Sequence, residues 1–177
     1  FRSSHKAVKK TLNFRINGQK IHPKSSVTYL GIKLNEFLKW DDHFSNLLPK
    51  LSRANGMLAK IRHYVCRDTL IDIYHAIFNS HLNYCAIVWG KLPRYIIDKV
   101  RSLQNKALRL IYFENIFAKA APLYSDSKIL PFQAQLIKHQ CLFAFDQQRN
   151  TVPTVFSNFC KRSSRVTSQN LFVPGTN

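Results

Sequence analysis

Two adjacent acidic residues are the first candidates for chemistry in this chain. Asp41 and Asp42 are its only neighbouring carboxylates, and the other acidic residues are isolated from one another in sequence. Two-metal phosphoryl transfer requires carboxylates that hold a pair of ions about 4 Å apart. The pair follows Trp40 and opens a stretch with helical periodicity, so we interpret it as a helix N-cap that accepts backbone N–H groups. We therefore predict no catalytic residue in this chain.

The cysteines and histidines do not have the spacing of a metal site. The cysteines are Cys66, Cys85, Cys141 and Cys160, and no two of them form a Cys-x-x-Cys pair. His81 lies near Cys85 and His139 near Cys141 in sequence, but a zinc site needs four converging ligands and no second pair is evident beside either one. Nucleophile-elbow, zinc-protease and P-loop motifs are also missing. We expect no metal ion or other cofactor, and reduced, mostly buried thiols.

The basic residues are the strongest chemical signal in the composition. Twenty-seven Lys and Arg oppose nine Asp and Glu, which leaves a formal charge of +18 spread from Arg2 to Arg165. Such a surface attracts polyanions, because each neutralised phosphate releases condensed counterions. We predict nucleic acid as the partner; the alternative is a solvated cationic surface without a dedicated ligand. The longest central apolar run, residues 85–89, is far shorter than the roughly 20 residues of a membrane span.

A long helix from Asp41 to about Tyr64 is predicted to carry many of these cations. Its apolar residues recur at steps of three and four, the period of one helix face: Leu47, Leu51, Ala54, Leu58 and Ile61. Pro49 lies inside this pattern and is expected to kink or split the helix. Lys50, Arg53 and Lys60 share one side of the helical wheel, and Arg62 follows near its end.

Three further helices are predicted after the first. The second begins near Asp68 with a capping side chain, the third begins at about Pro93, and the fourth covers residues 132–148 with Leu136, Ile137, Cys141 and Phe145 as its apolar side. On the third helix, Ile97, Val100, Leu103, Ala107 and Leu110 form the apolar side, and Lys99, Lys106 and Arg109 are basic. Each of the two helices can therefore present a basic stripe opposite its apolar side; the alternative is a solvated cationic face.

The strands are predicted before residue 40. Residues 12–16 and 19–21 alternate apolar and polar around Asn17-Gly18, which favours a two-residue hairpin turn. Residues 27–34 are interpreted as a third strand. The predicted class is therefore α+β and mostly α, with short antiparallel strands followed by a helical bundle. Trp40, Tyr84 and Trp89 are predicted to be core aromatics at element junctions.

Four blocks of the chain carry a family resemblance: residues 26–34, 51–64, 80–90 and 103–111. In this order they resemble the segment that follows the active site in reverse transcriptases of LINE-type, non-LTR retrotransposons, jockey-like ones included. Weaker similarities continue at Pro122-Leu123-Tyr124 and at residues 128–131 and 152–156. The family's Tyr-x-Asp-Asp motif would lie upstream of Phe1. Because the chain starts with Phe and has a single methionine, Met57, we expect it to be a fragment.

The resemblance implies an architecture and a set of partners. Residues 1–40 would be the last palm strands, 41–90 the thumb helices, 91–150 a helical C-terminal region and 151–177 a basic, partly irregular tail. Tyr29, Leu30 and Gly31 would form a turn similar to a primer grip; the alternative is that Tyr29 and Leu30 pack on the first helix. Expected partners are an RNA and DNA template-primer duplex and the palm and fingers of the same polyprotein, with magnesium needed only by the complete polymerase.

The function predicted from the sequence is a fragment of an RNA-directed DNA polymerase that grips template-primer through its backbone. The expected location is intracellular, in the nucleus or the cytoplasm. The alternative is a non-catalytic basic helical module that binds nucleic acid or protein, or a decayed element relic. Three departures from the family pattern favour the relic: Pro49 within a helix, a short span between Gly90 and Leu103, and an ending around Arg165 without the usual Tyr-Asn-Thr.

Overall fold

A computed structural model describes residues 14–22, 24–89, 92–149 and 151–156. The strands are β1 (Phe14–Ile16), β2 (Gln19–Ile21), β3 (Ser26–Tyr29) and β4 (Ile32–Asn35). The helices are α1 (Asp41–Ile61), α2 (Arg67–Tyr74), α3 (Ser80–Asn83), α4 (Arg94–Tyr112), α5 (Ala121–Ser127) and α6 (Phe132–Gln148). A π-helical turn, His75–Asn79, joins α2 to α3, and a 3₁₀ turn covers Thr154–Phe156. The predicted class, α+β and mostly α, is confirmed.

The strands form two separate antiparallel hairpins. The first turns at Asn17-Gly18, as predicted, with positive φ at both residues. The second pairs β3 with β4 around Leu30-Gly31, whose φ angles are 46° and 77°. The prediction of one continuous strand over residues 27–34 was therefore wrong. The apolar positions shift by one at the turn, from Val27 and Tyr29 to Ile32 and Leu34, so the alternation is interrupted where the chain reverses direction.

Helix α1 runs without interruption through Pro49, so the predicted split was wrong. A proline removes one backbone donor, and the fully packed side chains of Leu47 and Leu51 on either side hold the helix against the core. The predicted N-cap was also wrong, because Trp40 takes the cap position and no side chain caps the helix. Asp41 and Asp42 lie in the first turn, where negative charge complements the helix dipole.

The two long helices α1 and α4 lie side by side and run parallel. The Tyr95 hydroxyl of α4 donates to the Asp41 carboxylate at one end, and Asn55 Nδ2 donates to the Leu103 carbonyl at 2.9 Å near the middle. At the other end the rings of His63 and Phe113 are 5.5 Å apart. The α2–α3 segment packs against both helices. It begins beside the end of α4, where the Arg67 guanidinium lies 4.7 Å from the centre of the Tyr112 ring.

One hydrophobic core joins all of these helices, and therefore draws on both of the predicted ranges 41–90 and 91–150. Its largest fully buried side chains are Trp89, Tyr74, Phe44, Phe78 and Phe132. The prediction of a core position is confirmed for Trp89. It was wrong for Tyr84, which is 51% exposed, and Trp40 only borders the core. No helix in the described ranges is both long and apolar enough to span a bilayer.

Several faces are rotated relative to the predictions. In α4 the deepest side chains are Ile96, Val100, Gln104, Ala107, Leu108 and Ile111, whereas Ile97, Leu103 and Leu110 are partly buried. The predicted bounds of α6 are confirmed, but the predicted apolar side was wrong for Ile137, Cys141 and Phe145, which are exposed. The prediction of mostly buried thiols was wrong for Cys66 and Cys141; Cys160 lies outside the described residues. Helix α5 was not predicted.

The predicted cap of the second helix also differs from the structure. Helix α2 begins at Arg67 after Cys66, and no side chain bonds to its free backbone N–H groups. Cys66 instead pairs with the hydroxyl of Thr69 at 3.2 Å, and this hydrogen bond lowers the pKa of the exposed thiol. Asp68 lies in the first turn. The helix start was therefore placed within one residue, but the capping side chain was wrong.

Candidate nucleic-acid interface

Three cations on α1 form an exposed stripe, which we call the α1 stripe: Lys50, Arg53 and Lys60. At 100° per residue they lie on one side of the helix, away from the buried Leu51 and Leu58. No acidic residue occurs in the sequence from His43 to Arg67. Between the first turn, which holds Asp41 and Asp42, and the end of α1, no carboxylate of the helix neutralises the stripe.

A histidine from another helix lies against the α1 stripe. The pKa of His81, in α3, is lowered first by burial and then by the positive charges of Lys50 and Arg53. Lys50 and Arg53 can lower this pKa because the α2–α3 segment runs back along α1 and brings His81 close to them. The sequence carries no local signal for the approach of His81 to α1, because 28 residues separate His81 from Arg53.

His43 is a second histidine whose pKa is lowered by a cation of the α1 stripe. It is buried, its Nδ1 accepts the Lys33 backbone N–H at 3.5 Å, and it links β4 to the start of α1. Burial lowers the pKa of His43, and the charge of Lys50 lowers it further. At neutral pH the ring is therefore an uncharged acceptor, which suits the contact with a backbone donor.

These two histidines predict a pH dependence of stability. Their folded pKa values lie below the ordinary value of about 6.5. As the pH falls through 6.5, the unfolded chain binds protons that the folded chain does not, so the free energy of unfolding decreases until the folded pKa is passed. We expect urea unfolding to show lower stability at pH 5.0 than at pH 7.5.

The variant His43→Asn measures the contribution of His43 to the pH dependence of the free energy of unfolding. Its side-chain oxygen keeps an acceptor near the Lys33 N–H but does not titrate. The difference in stability between pH 7.5 and 5.0 should become smaller in this variant. An unchanged difference would mean that His43 does not contribute to it.

The β3–β4 turn presents its side chains to solvent. Tyr29 is 66% exposed and Leu30 is 71% exposed, so the alternative in which they pack on the first helix was wrong. The Tyr84 hydroxyl donates to the Leu30 carbonyl at 2.6 Å. A Cβ on Gly31 would lie 3.8 Å from the Tyr84 ring, which shows how closely that ring approaches the turn.

Leu30 occupies a conformation that L-residues rarely adopt. Its φ of 46° lies in the left-handed region, which costs a non-glycine residue about 1–2 kcal/mol. The ladder around the turn and the Tyr84 hydrogen bond hold this conformation in place. Strain of this kind concentrates at functional sites. The exposed turn is thus held in a defined conformation at the surface.

The α4 cations do not all lie on one surface. Lys99 lines a shallow groove with Pro49 and Ser52 at the seam between α1 and α4. Lys106 is exposed and lies two turns further along the same side of α4. Arg109 is partly buried, and its Nε donates to the Ala118 carbonyl at 2.9 Å, so it holds the loop after α4.

Arg62 also lies apart from the α1 stripe. Its guanidinium carbon is 5.1 Å from the centre of the Phe113 ring, and its Nε donates to His63 at 3.2 Å. The structure therefore groups the predicted residues into the α1 stripe, the seam cations Lys99 and Lys106, the exposed turn, and two arginines with contacts at the far end of the bundle. Within the described ranges, no cluster of three or more His, Cys, Asp or Glu side chains is placed to hold a metal ion.

Comparison with known proteins relates the chain to polymerases of mobile elements. It is 28% identical over 118 residues to the RNA-directed DNA polymerase from mobile element jockey of Drosophila funebris, which is 64% of this chain and 13% of that protein. It is 22% identical over 138 residues to the probable RNA-directed DNA polymerase from transposon X-element of Drosophila melanogaster, 75% of this chain and 15% of that protein.

A further relative comes from another insect. The chain is 28% identical over 105 residues to the retrovirus-related Pol polyprotein from type-1 retrotransposable element R1 of Bradysia coprophila, 58% of this chain and 10% of that protein. No protein-family model and no solved structure matches the chain. The chain is therefore similar to a small region of reverse transcriptases, and it spans a minor part of the length of these relatives.

Proposed function

We propose that this chain is a thumb-side portion of an RNA-directed DNA polymerase of a non-LTR retrotransposon, and that it holds template-primer nucleic acid by its backbone. The observation that carries the proposal is the α1 stripe, which is exposed, free of acidic neighbours in sequence and joined by His81. The similarity to polymerases of mobile elements supports the same assignment.

In this proposal the cations act on phosphates and the turn acts on the primer end. Lys50, Arg53 and Lys60 neutralise successive phosphates, which fixes the position of a duplex without reading its bases. Lys99 and Lys106 extend the positive surface across the α1–α4 seam. Tyr29 offers a ring for stacking beside Leu30-Gly31, which is fixed by Tyr84.

Catalysis is proposed only for the complete polymerase. Asp41 accepts the hydroxyl of Tyr95, and no third ligand is gathered beside Asp41 and Asp42 within the described ranges, so this pair does not fit a two-metal site. Magnesium would bind carboxylates of the palm, and the palm and fingers of the same polyprotein are the proposed protein partners. The proposed location is intracellular, in the nucleus or the cytoplasm.

The salt dependence of duplex binding tests the proposal. A protein that contacts about five phosphates of B-DNA should show a slope of log affinity against log salt of about −4 to −5. Replacing Lys50, Arg53 and Lys60 together by glutamine should make this slope less negative by about 3. The measurement is fluorescence anisotropy with a blunt 20-base-pair duplex and with the matching RNA–DNA hybrid, from 50 to 300 mM salt.

A matched control removes the same charge elsewhere. Arg94, Lys138 and Arg149 are exposed on other parts of the bundle, and their triple replacement by glutamine should weaken binding much less. Equal losses in the two triple variants would show that binding follows net charge alone, and would reject the α1 stripe as the contact. A flat salt dependence of the unsubstituted chain would reject phosphate binding altogether.

One observation favours a second candidate, a non-catalytic module that binds another protein. Helix α6 exposes an apolar side on which Ile137, Cys141 and Phe145 are spaced four residues apart. A flat salt slope, with substitutions on this side of α6 that abolish capture of a partner, would support this candidate instead.

A further inference from the structure

The bundle end formed by the C-termini of α1 and α4 exposes a group of aromatic side chains. Tyr64 and Phe117 are each 86% exposed, and Phe113 is 50% exposed. These residues come from two loops that meet where the His63 ring contacts the Phe113 ring at 5.5 Å. Rings that are exposed to this extent need an explanation, because burying such a ring contributes a large hydrophobic gain.

Cations lie over rings at this end instead of pairing with carboxylates. The Arg62 guanidinium stacks on Phe113 at 5.1 Å, and the Arg67 guanidinium stacks on Tyr112 at 4.7 Å. Asp68 directly follows Arg67, and Glu114 directly follows Phe113. In the described part of the chain, however, no ion pair joins either carboxylate to Arg62 or Arg67. Both arginines thus keep their charge available at the rim of the aromatic group.

The loop that carries two of the rings is held in a defined conformation. Phe113 ends α4 with a left-handed φ of 59°, and Arg109 Nε donates to the Ala118 carbonyl at 2.9 Å. The Phe117 backbone N–H donates to the Asn115 side chain at 3.1 Å. The Phe117 ring is therefore presented by a hydrogen-bonded loop. Because this loop is already ordered, ligand binding costs less conformational entropy.

We propose that this surface, the aromatic end, binds single-stranded nucleic acid by base stacking: Tyr64, Phe113 and Phe117, with Arg62, His63 and Arg67 around them. Exposed rings offer faces to unpaired bases, and arginines add phosphate contacts and cation–π stacking. A duplex keeps its bases inside and cannot use these rings. Stacking and phosphate contacts do not read the sugar, so DNA and RNA single strands should bind alike.

This surface consists of other residues than the α1 stripe, which ends at Lys60, four residues before Tyr64, and it is proposed to perform a different task. The stripe is proposed to hold a duplex by phosphates, whereas the aromatic end takes an unpaired segment. Charge favours this occupant over an apolar protein, because Arg62 and Arg67 would have to be desolvated without a carboxylate partner in a protein interface. The strand phosphates supply the complementary charge.

The test compares single-stranded and duplex probes with the full 177-residue chain. Anisotropy is measured with a labelled 12-mer of oligo-dT, a 12-mer of oligo-U, an abasic 12-mer of equal charge, and a blunt duplex. The double variant Tyr64→Ala/Phe117→Ala should bind both base-bearing single strands about tenfold more weakly or worse, since stacking contributes roughly 1–3 kcal/mol per base. Its affinity for the duplex and the abasic strand should change less than twofold.

Two controls make the result specific. Phe145→Ala removes another exposed ring that also lies under an arginine, Arg149 at 5.1 Å, and should leave oligo-dT binding unchanged. Because Tyr64 and Phe117 are so exposed, the double variant should keep the melting temperature of the unsubstituted chain. The variant in which Lys50, Arg53 and Lys60 are replaced by glutamine should show the opposite pattern. Its affinity for the duplex should fall more than that of the double variant.

The outcomes separate this inference from the proposed function. Unchanged oligo-dT affinity in the double variant would overturn the inference and leave the duplex proposal intact. An equal loss in Phe145→Ala would also overturn it, because binding would then be spread over all exposed rings. A dimer that forms in the unsubstituted chain and disappears in the double variant, without any change in oligo-dT affinity, would assign the aromatic end to self-association instead.

Discussion

Replacing Gln104 by leucine should lower the free energy of unfolding by about 3 kcal/mol, as measured by urea unfolding followed by circular dichroism. Gln104 is fully buried, and its side chain uses all of its hydrogen-bonding capacity. Its Nε2 donates to the Tyr74 hydroxyl and to the Leu130 carbonyl, both at 3.0 Å. Its Oε1 accepts the Phe132 backbone N–H at 2.9 Å and the Tyr124 hydroxyl at 3.2 Å.

The cost comes from the groups that leucine leaves without a partner. The Leu130 carbonyl still accepts a hydrogen bond from Gln135 Nε2 at 2.7 Å, and the Tyr124 hydroxyl still donates to Asn105 Oδ1 at 2.8 Å. The Phe132 N–H and the Tyr74 hydroxyl have no such substitute among the described contacts. Each buried polar group without a partner costs about 1–3 kcal/mol. Burial already raises the pKa of Tyr74 to about 12, which shows how little water its hydroxyl meets.

A double-mutant cycle with Tyr74→Phe sharpens this prediction. In the unsubstituted chain Tyr74→Phe should destabilise by about 1 kcal/mol, because Gln104 loses an acceptor. In the Gln104→Leu background the same change should stabilise, because it removes an unpaired hydroxyl. If Tyr74→Phe has the same effect in both backgrounds, the two side chains are not coupled and this account of the core is wrong.

Replacing Trp89 by alanine should destabilise the chain by about 3–5 kcal/mol, the usual range for deleting a buried tryptophan. The indole is fully buried between Phe44, in an edge contact at 5.3 Å, and Phe132, in a stacked contact at 6.1 Å. Domains of this kind have only about 5–15 kcal/mol of stability, so the variant should be marginally folded at 37 °C. Thermal unfolding by circular dichroism measures the change.

Trp89→Phe separates packing from hydrogen bonding at the same position. Phenylalanine keeps an aromatic ring but loses the Nε1–H that donates to the Tyr84 carbonyl at 3.2 Å. We expect a cost of about 1–2 kcal/mol, together with faster amide exchange in β3 and β4, because Tyr84 connects that hairpin to the bundle. If the phenylalanine variant is as unstable as the alanine variant, the phenyl ring retains none of the packing of the indole and this prediction is wrong.

These two residues explain how a helical core fixes the surface for which we propose nucleic-acid binding. Trp89 holds the segment that includes Tyr84, and Tyr84 holds the carbonyl of Leu30 at the exposed turn. Gln104 joins α2, α4, α5 and the start of α6 through one side chain. The proposed contacts of α1 and of the turn therefore rest on buried residues that never meet the ligand.

The sequence by itself determined the class of the fold and most element positions. Apolar residues at steps of three and four predicted the long helices, and the bounds of α6 agree with the prediction. Asn17-Gly18 predicted the first hairpin because few residues tolerate positive φ at both turn positions. The positions of Lys50, Arg53 and Lys60 on one side of α1 followed from the helical period alone. These features depend on local spacing, which the sequence displays directly.

Only the tertiary structure decided which faces are buried and which cations share a surface. Apolar residues lie on opposite sides of α6, so periodicity did not reveal that Ile137 and Phe145 remain exposed. A glutamine in an apolar stripe is informative only when its partners are known, and those of Gln104 lie 20–30 residues away in sequence. The approach of His81 to Lys50 and Arg53, and of Arg62 to Phe113, depends on how helices dock. Docking is set by contacts between distant residues, which local spacing does not record.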